Sequence, residues 1–153
     1  GLFREVAQQV AESYPNITFE SLIVDNFAHV MTSTPQSLDV VVMPNLYGDI
    51  LSDGAAGLIG GLGLAPSGCY GDSYAYFESA HGTAPDIAGQ NIINPTATML
   101  SAMMMLRYLG FANEATRVET AIEKVYAEGR FLTPDQGGRA TTTEFTEAVA
   151  AYL

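Results

Sequence analysis

The sequence predicts an α/β fold, and three observations carry that prediction. Short β-rich apolar runs, at Ile17–Val24 and Leu38–Met43, alternate with stretches of helical spacing. Helix start and stop chemistry recurs through the second half, at Asn94-Pro95, Gly110, Gly129 and Thr141–Glu144. No internal repeat or low-complexity tract interrupts the alternation, which is the pattern of strands layered with helices.

Taken in order, Leu2, Phe3, Val6, Ala7 and Val10 place a helix over residues 2–13, stopped by Tyr14-Pro15-Asn16. Ile17–Val24 reads as a strand ended by Asp25-Asn26. A short helix over Phe27–Thr32 is halted before Pro35. Leu38–Met43 suits a buried strand and feeds Asn45-Leu46-Tyr47-Gly48-Asp49 and a helix of small and aliphatic residues to about Gly60. The glycine-rich Gly60–Gly71 reads as loop, Tyr74–Phe77 as a short strand, and Glu78–Ile93 as irregular chain. Asn94 at the N-cap and Pro95 in the first turn open a helix that Gly110 stops. A further helix runs from about Asn113 to Glu128 with Gly129 after it, and Thr141–Glu144 fits a capping box for the last one.

A chain of 153 residues with 48% hydrophobic content can bury one domain-sized core. Its net charge of −11, from 17 acidic and 6 basic residues, would repel nucleic acid rather than steer it in. The acids are scattered, so no acidic tail is expected, and no apolar run reaches the roughly 18 residues that span a bilayer. No secretory signal opens the chain, which begins Gly-Leu-Phe without Met. The single cysteine, Cys69, makes no intrachain disulfide, which fits a reducing compartment.

Asp49 and Asp53 lie four apart at the start of a predicted helix, so both carboxylates project from one face. Such a like-charge pair costs roughly 0.2–0.5 kcal/mol unless a hard cation reverses the sign, and Mg²⁺ takes one or two carboxylates plus substrate oxygens. Acidic residues also favour helix N-termini through the backbone dipole alone, and the spacing leaves both readings open. Asp25 is a possible third carboxylate, though nothing in the spacing brings it near the other two. The glycines of Gly57–Gly63 follow a helix rather than a strand, which excludes a Rossmann fingerprint. His81-Gly82-Thr83-Ala84-Pro85-Asp86 is a donor-rich irregular loop able to offer N–H groups and a carboxylate to a nucleotide, or else an Asx-type surface turn. An Asp there suits free ribose hydroxyls and would repel a 2′-phosphate. The methionines of 99–105 read as a core helix face, and Cys69 has no basic neighbour in sequence to activate it.

Two long segments carry a resemblance that covers nearly the whole chain. They are Asn45-Leu-Tyr-Gly-Asp-Ile-Leu-Ser-Asp53, running on to Gly63-Leu-Ala-Pro-Ser-Gly68, and Phe77-Glu-Ser-Ala-His-Gly-Thr-Ala-Pro-Asp-Ile-Ala-Gly89 with Asn94-Pro-Thr-Ala97 after it. In order and spacing they resemble the β-decarboxylating dehydrogenases that act on isocitrate, homoisocitrate, 3-isopropylmalate and tartrate. The resemblance implies an isopropylmalate dehydrogenase-like two-domain α/β fold, not a true Rossmann fold, of which this is the C-terminal portion. Residues 1–53 would end the middle, dimer-forming domain, and 54–153 would form the returning half of the first, cofactor-binding domain. Asp49 and Asp53 would hold Mg²⁺ or Mn²⁺ within one subunit, and Asp25 would reach the metal of a neighbouring subunit, which makes the complete protein a homo-oligomer. Glu78, His81, Gly82, Thr83, Ala84, Asp86 and Asn94 match the family's cofactor loop. Asp86 stands where NADP-using relatives often carry Lys, so NAD is the expected cofactor.

The resemblance also implies what this stretch does not carry. The family's catalytic lysine lies just upstream of the segment resembling Gly1-Leu2-Phe3, with the tyrosine and the substrate-clamping arginines further upstream. None of Arg4, Arg107, Arg117, Lys124, Arg130 and Arg139 matches a substrate position. The isolated stretch is therefore expected to be inactive, and the complete protein to oxidise and decarboxylate a 2-hydroxy polycarboxylic acid. The wording at Gly63–Gly68 and His81–Ala84 leans towards isocitrate or homoisocitrate, since isopropylmalate enzymes more often show Ser at the position of Thr83. A cytoplasmic protein is expected, or a mitochondrial-matrix one in a eukaryote. The other class of reading, a non-catalytic regulatory subunit, sits poorly with the retained Asp25, Asp49 and Asp53. A stand-alone acidic metal-binding domain sits poorly with what looks like half a sheet.

Overall fold

The computed structural model describes residues 1–153, which divide into two compact units, Gly1–Ala55 and Ala56–Leu153. The first unit is built from helices α1 (Leu2–Ala11), α2 (Val24–Ser33) and most of α3 (Asn45–Leu58), with a 3₁₀ turn at Pro35–Ser37. Pro35 cannot continue α2, and it occupies the first position of that turn, where a missing N–H costs nothing. Met31 of α2 is the unit's buried hydrophobic residue. The absence of a side chain at Gly54 of α3 leaves room for it, since a Cβ there would sit 3.4 Å from the Met31 methyl.

Two expectations fail in this unit. Ile17–Val24 and Leu38–Met43 form no strand, and Val24 instead opens α2. Strand geometry persists only where a neighbouring backbone takes up its N–H and C=O groups. These segments pair with nothing, and their apolar residues stand in solvent, Val40 at 91% and Val42 at 70% exposure.

In the second unit Gly60 and Gly61, both at strongly positive φ, reverse the chain after α3. A two-stranded antiparallel hairpin follows, β1 (Pro66–Tyr70) and β2 (Ala75–Ser79), in register from Pro66 opposite Ser79 to Tyr70 opposite Ala75. Strand β1 corrects the reading of Gly60–Gly71 as loop throughout. Pro66 sits at the first strand position, where proline is tolerated, and Gly68 is there for close approach rather than for a turn. A Cβ at Gly68 would come within 3.1 Å of both the Phe77 ring and the Met104 methyl.

Helix α4 (Thr96–Tyr108) lies against the hairpin and against α5 (Ala112–Glu128), and α5 lies against α6 (Thr142–Ala150). Ser101 of α4 fastens the hairpin, donating to the Glu78 carbonyl at 2.6 Å and accepting from the Ser67 N–H at 3.3 Å. The core is Ala121, Ile122 and Val125 of α5 against Phe145 and Val149 of α6, with Met99, Leu100 and Tyr126 packed around them. Helix α4 starts at Thr96 with Pro95 in the cap position, one residue later than expected, and Asn94 Oδ1 accepts from the Thr96 N–H at 3.0 Å. The Gly129 stop and the Thr141–Glu144 capping box stand where the sequence places them.

Candidate functional site

In the first unit Asp49 and Asp53 occupy successive turns of α3 and are exposed. Neither belongs to an ion pair, for the salt bridges are those of Glu5 with the N-terminus and of Arg107 with Glu119. Asp49 Oδ2 accepts from the Asn45 amide at 2.9 Å, one helical turn earlier. Two unpaired carboxylates four residues apart on an open face form an all-oxygen donor set of the kind hard divalent cations take. Asp25 lies in the first turn of α2, exposed, with its Oδ1 turned back onto the Asn26 N–H at 2.6 Å. The structure gathers no cluster of three acidic, His or Cys side chains, so Asp25 does not join Asp49 and Asp53 within one chain.

In the second unit Ser79 ends β2 and the chain enters the irregular loop of residues 80–93. His81 Nδ1 lies 2.9 Å from the Gly82 carbonyl, which can only accept, so Nδ1 carries the hydrogen. Nε2, on the other side of the ring, is buried with no partner in the protein. A buried polar nitrogen left open is costly unless a water or a ligand group meets it. Ala84 is held at φ 44°, a left-handed conformation rare for alanine, and opens the 3₁₀ turn Pro85–Ile87. That turn presents Asp86 to solvent, while its carbonyl accepts from the Gln90 amide at 2.9 Å. Gly82 and Thr83 are exposed beside it, and Glu78 is exposed at the end of β2. The open hydroxyl, amide and carboxylate groups of this loop, together with the orphaned His81 nitrogen, fit a dinucleotide bearing free ribose hydroxyls.

Asn94 is placed differently from the rest of its predicted set. It is 3% exposed, and its amide donates to Tyr126 Oη at 3.1 Å and to Asp135 Oδ2 at 3.0 Å. Its side chain is committed inward, to the residues that close the loop from behind. Asp135 was missed by sequence reasoning, because 41 residues separate it from Asn94 and no local pattern links them. Asn91, at φ 56°, was missed because its partner Thr143 lies 52 residues further on. In the second half of the loop Ile87, Gly89, Asn91, Ile92 and Ile93, with Thr142 of α6, line an open depression of about 370 Å³.

The isocitrate/isopropylmalate dehydrogenase family model matches residues 1–149. The chain belongs to that family. It is 52% identical over its whole length to the isocitrate dehydrogenase [NAD] catalytic subunit 5, mitochondrial, of Arabidopsis thaliana, covering 41% of that protein. It is 54% identical over 98% of its length to the 3-isopropylmalate/3-methylmalate dehydrogenase of Methanocaldococcus jannaschii, covering 45% of it. Its fold superposes on the crystal structure of isocitrate dehydrogenase from Methylococcus capsulatus with a TM-score of 0.95 at 44% identity, over 99% of this chain and 45% of that one. The fold is thus the C-terminal portion of an isocitrate/isopropylmalate dehydrogenase-type structure, and the chain spans somewhat under half the length of the relatives it matches. No helix is long and apolar enough to cross a membrane.

Proposed function

We propose that the complete protein is an NAD- and Mg²⁺- or Mn²⁺-dependent dehydrogenase that oxidises and decarboxylates a 2-hydroxy polycarboxylic acid, isocitrate before homoisocitrate or 3-isopropylmalate. The observation that carries this reading is the loop of His81–Asp86 in a chain of this family, with its open His81 nitrogen and its strained Ala84. Asp49 and Asp53, with Asp25 of a second subunit, would hold the divalent ion, which would supply Lewis-acid polarisation to the substrate oxygens, and NAD would supply the hydride acceptor. Asp49 and Asp53 orient the ion, and the Asn45 amide fixes the rotamer of Asp49. Asp86 would take the ribose hydroxyls, Glu78, His81 and the backbone of 82–84 would line the dinucleotide, and Asn94 would support the loop from beneath. The substrate clamp and the proton-handling lysine and tyrosine lie outside these 153 residues. The working assembly is a homo-oligomer in the cytoplasm, or in the mitochondrial matrix of a eukaryote.

The test is NAD reduction by the longest form of the protein its source makes, with each of the three acids and with or without Mg²⁺. Mg²⁺-dependent NADH formation with one of them is expected. Asp49→Asn should lower kcat/KM at least about 100-fold, because several kcal/mol of charge stabilisation leaves with the ion, while NADH binding persists. Undiminished turnover in that variant, or none with any acid in the unmodified protein, would defeat the reading.

A further inference from the structure

We infer that Asn91 is a positioning residue for the dinucleotide loop, anchoring it to the start of α6; this rests on reading residues 78–94 as the NAD site. The chain holds two non-glycine residues at positive φ, Ala84 and Asn91, and both lie in this one loop. Every hydrogen bond that residues 81–93 make to another element goes to α6. The Asn91 carbonyl accepts from the Thr142 N–H at 2.9 Å, and its Oδ1 accepts from the Thr143 N–H at 3.3 Å and the Thr143 hydroxyl at 3.1 Å. The Thr142 hydroxyl donates to the Ile93 carbonyl at 2.5 Å.

The arrangement fits asparagine for two reasons. The first N–H groups of a helix have no partner within it, and the Thr141 hydroxyl satisfies only that of Glu144, so Thr142 and Thr143 must bond elsewhere. Asparagine tolerates the left-handed conformation better than other side-chain-bearing residues and brings an acceptor within reach of the helix end. Between its ends at Ala80, whose N–H donates to the Ala65 carbonyl, and Asn94, the loop is thereby held only at α6, by an anchor that begins five residues beyond the exposed Asp86. A loop pinned in its binding conformation spares the ligand the entropy of ordering it. Asn91 touches no reacting atom, so its loss should weaken dinucleotide binding and leave the chemical step alone.

The experiment compares Asn91→Gly, which keeps the backbone conformation and removes Oδ1, with Asn91→Asp, which keeps the acceptor. Both are made in the longest form of the protein. NADH binding is read by fluorescence titration, and kcat at saturating NAD and the KM of the hydroxy acid by steady-state assay. Asn91→Gly should raise the Kd of NADH by roughly tenfold with kcat and the acid's KM within about twofold, and Asn91→Asp should restore binding. Amide exchange without ligand should quicken in residues 82–93 of the Gly variant and not in α4 or α5. If the Gly variant folds poorly, Thr143→Val, which removes one donor to Oδ1, should show a smaller change of the same kind. Unchanged NADH affinity and unchanged loop exchange in the Gly variant would overturn the inference while the NAD reading stands. No NADH binding by the unmodified protein would overturn both.

Discussion

Asp135 is held by three neighbours: the Thr133 hydroxyl at 2.5 Å and the amides of Asn94 and Gln136, each at 3.0 Å. Partial burial pushes its carboxyl up, but the hydrogen bonds from Thr133, Gln136 and Asn94 together outweigh that and hold it below the usual carboxylate value. A depressed folded value means that the contribution is present above the unfolded pKa of about 4 and is lost as pH falls through the folded one. Asp135→Asn should therefore flatten the acid limb of a stability–pH profile measured by urea unfolding below about pH 4, with the two proteins differing most near neutrality. An acid limb unchanged by the substitution would show that another carboxylate carries it. The same residue shows where sequence reasoning runs out. His81, Thr83 and Asp86 stand together in one short loop and are legible as a group. Asp135 reaches the site from a distant part of the chain, and Asn91, inside the loop, is tied to the distant Thr143, in both cases through hydrogen bonds that only the fold creates.

At the scale of elements, α6 begins with a reciprocal cap. The Thr141 hydroxyl accepts from the Glu144 N–H at 3.1 Å, and the Glu144 carboxylate accepts from the Thr141 N–H at 2.8 Å. Thr141→Ala removes the hydroxyl and should cost about 1 kcal/mol, read as a lower urea midpoint with an unchanged slope. A fall in the slope would instead mean that α6 detaches on its own. Caps of this kind explain which elements the sequence makes legible. The last helices follow from residues within four positions of their ends, at Gly129 and at Thr141–Glu144, and they form as expected. Strands answer to partners that the local pattern does not contain. Leu38–Met43 has the composition of a buried strand but no neighbour, and it stays unpaired. Pro66–Tyr70 has the composition of a loop, yet it pairs with Ala75–Ser79 because Gly68 lets the Phe77 ring and Met104 close over it.

At the scale of the whole molecule the apolar residues are unevenly covered. Of the buried hydrophobic residues, only Met31 lies in residues 1–55, while Leu2, Phe3, Val6, Val10, Ile17, Ile23, Val40 and Ile50 of that unit are exposed. Apolar surface of that extent favours association, at roughly 25 cal/mol for each Å² removed from water. The opposing term is the net charge of −11, which makes two copies repel. Salt separates the two effects, because the screening length falls from about 30 Å at 0.01 M to about 3 Å at 1 M while apolar burial is not weakened. The 153-residue chain on its own should therefore associate progressively as NaCl is raised, with light scattering giving masses above its 16.3 kDa. Amide exchange should remain slowest in α5 and α6, where the core lies, and be fast throughout residues 1–55. A chain that stays monomeric at high salt, or one whose first unit is protected as well as α5, would mean that residues 1–55 hide their apolar side chains in solution by a packing this structure does not contain.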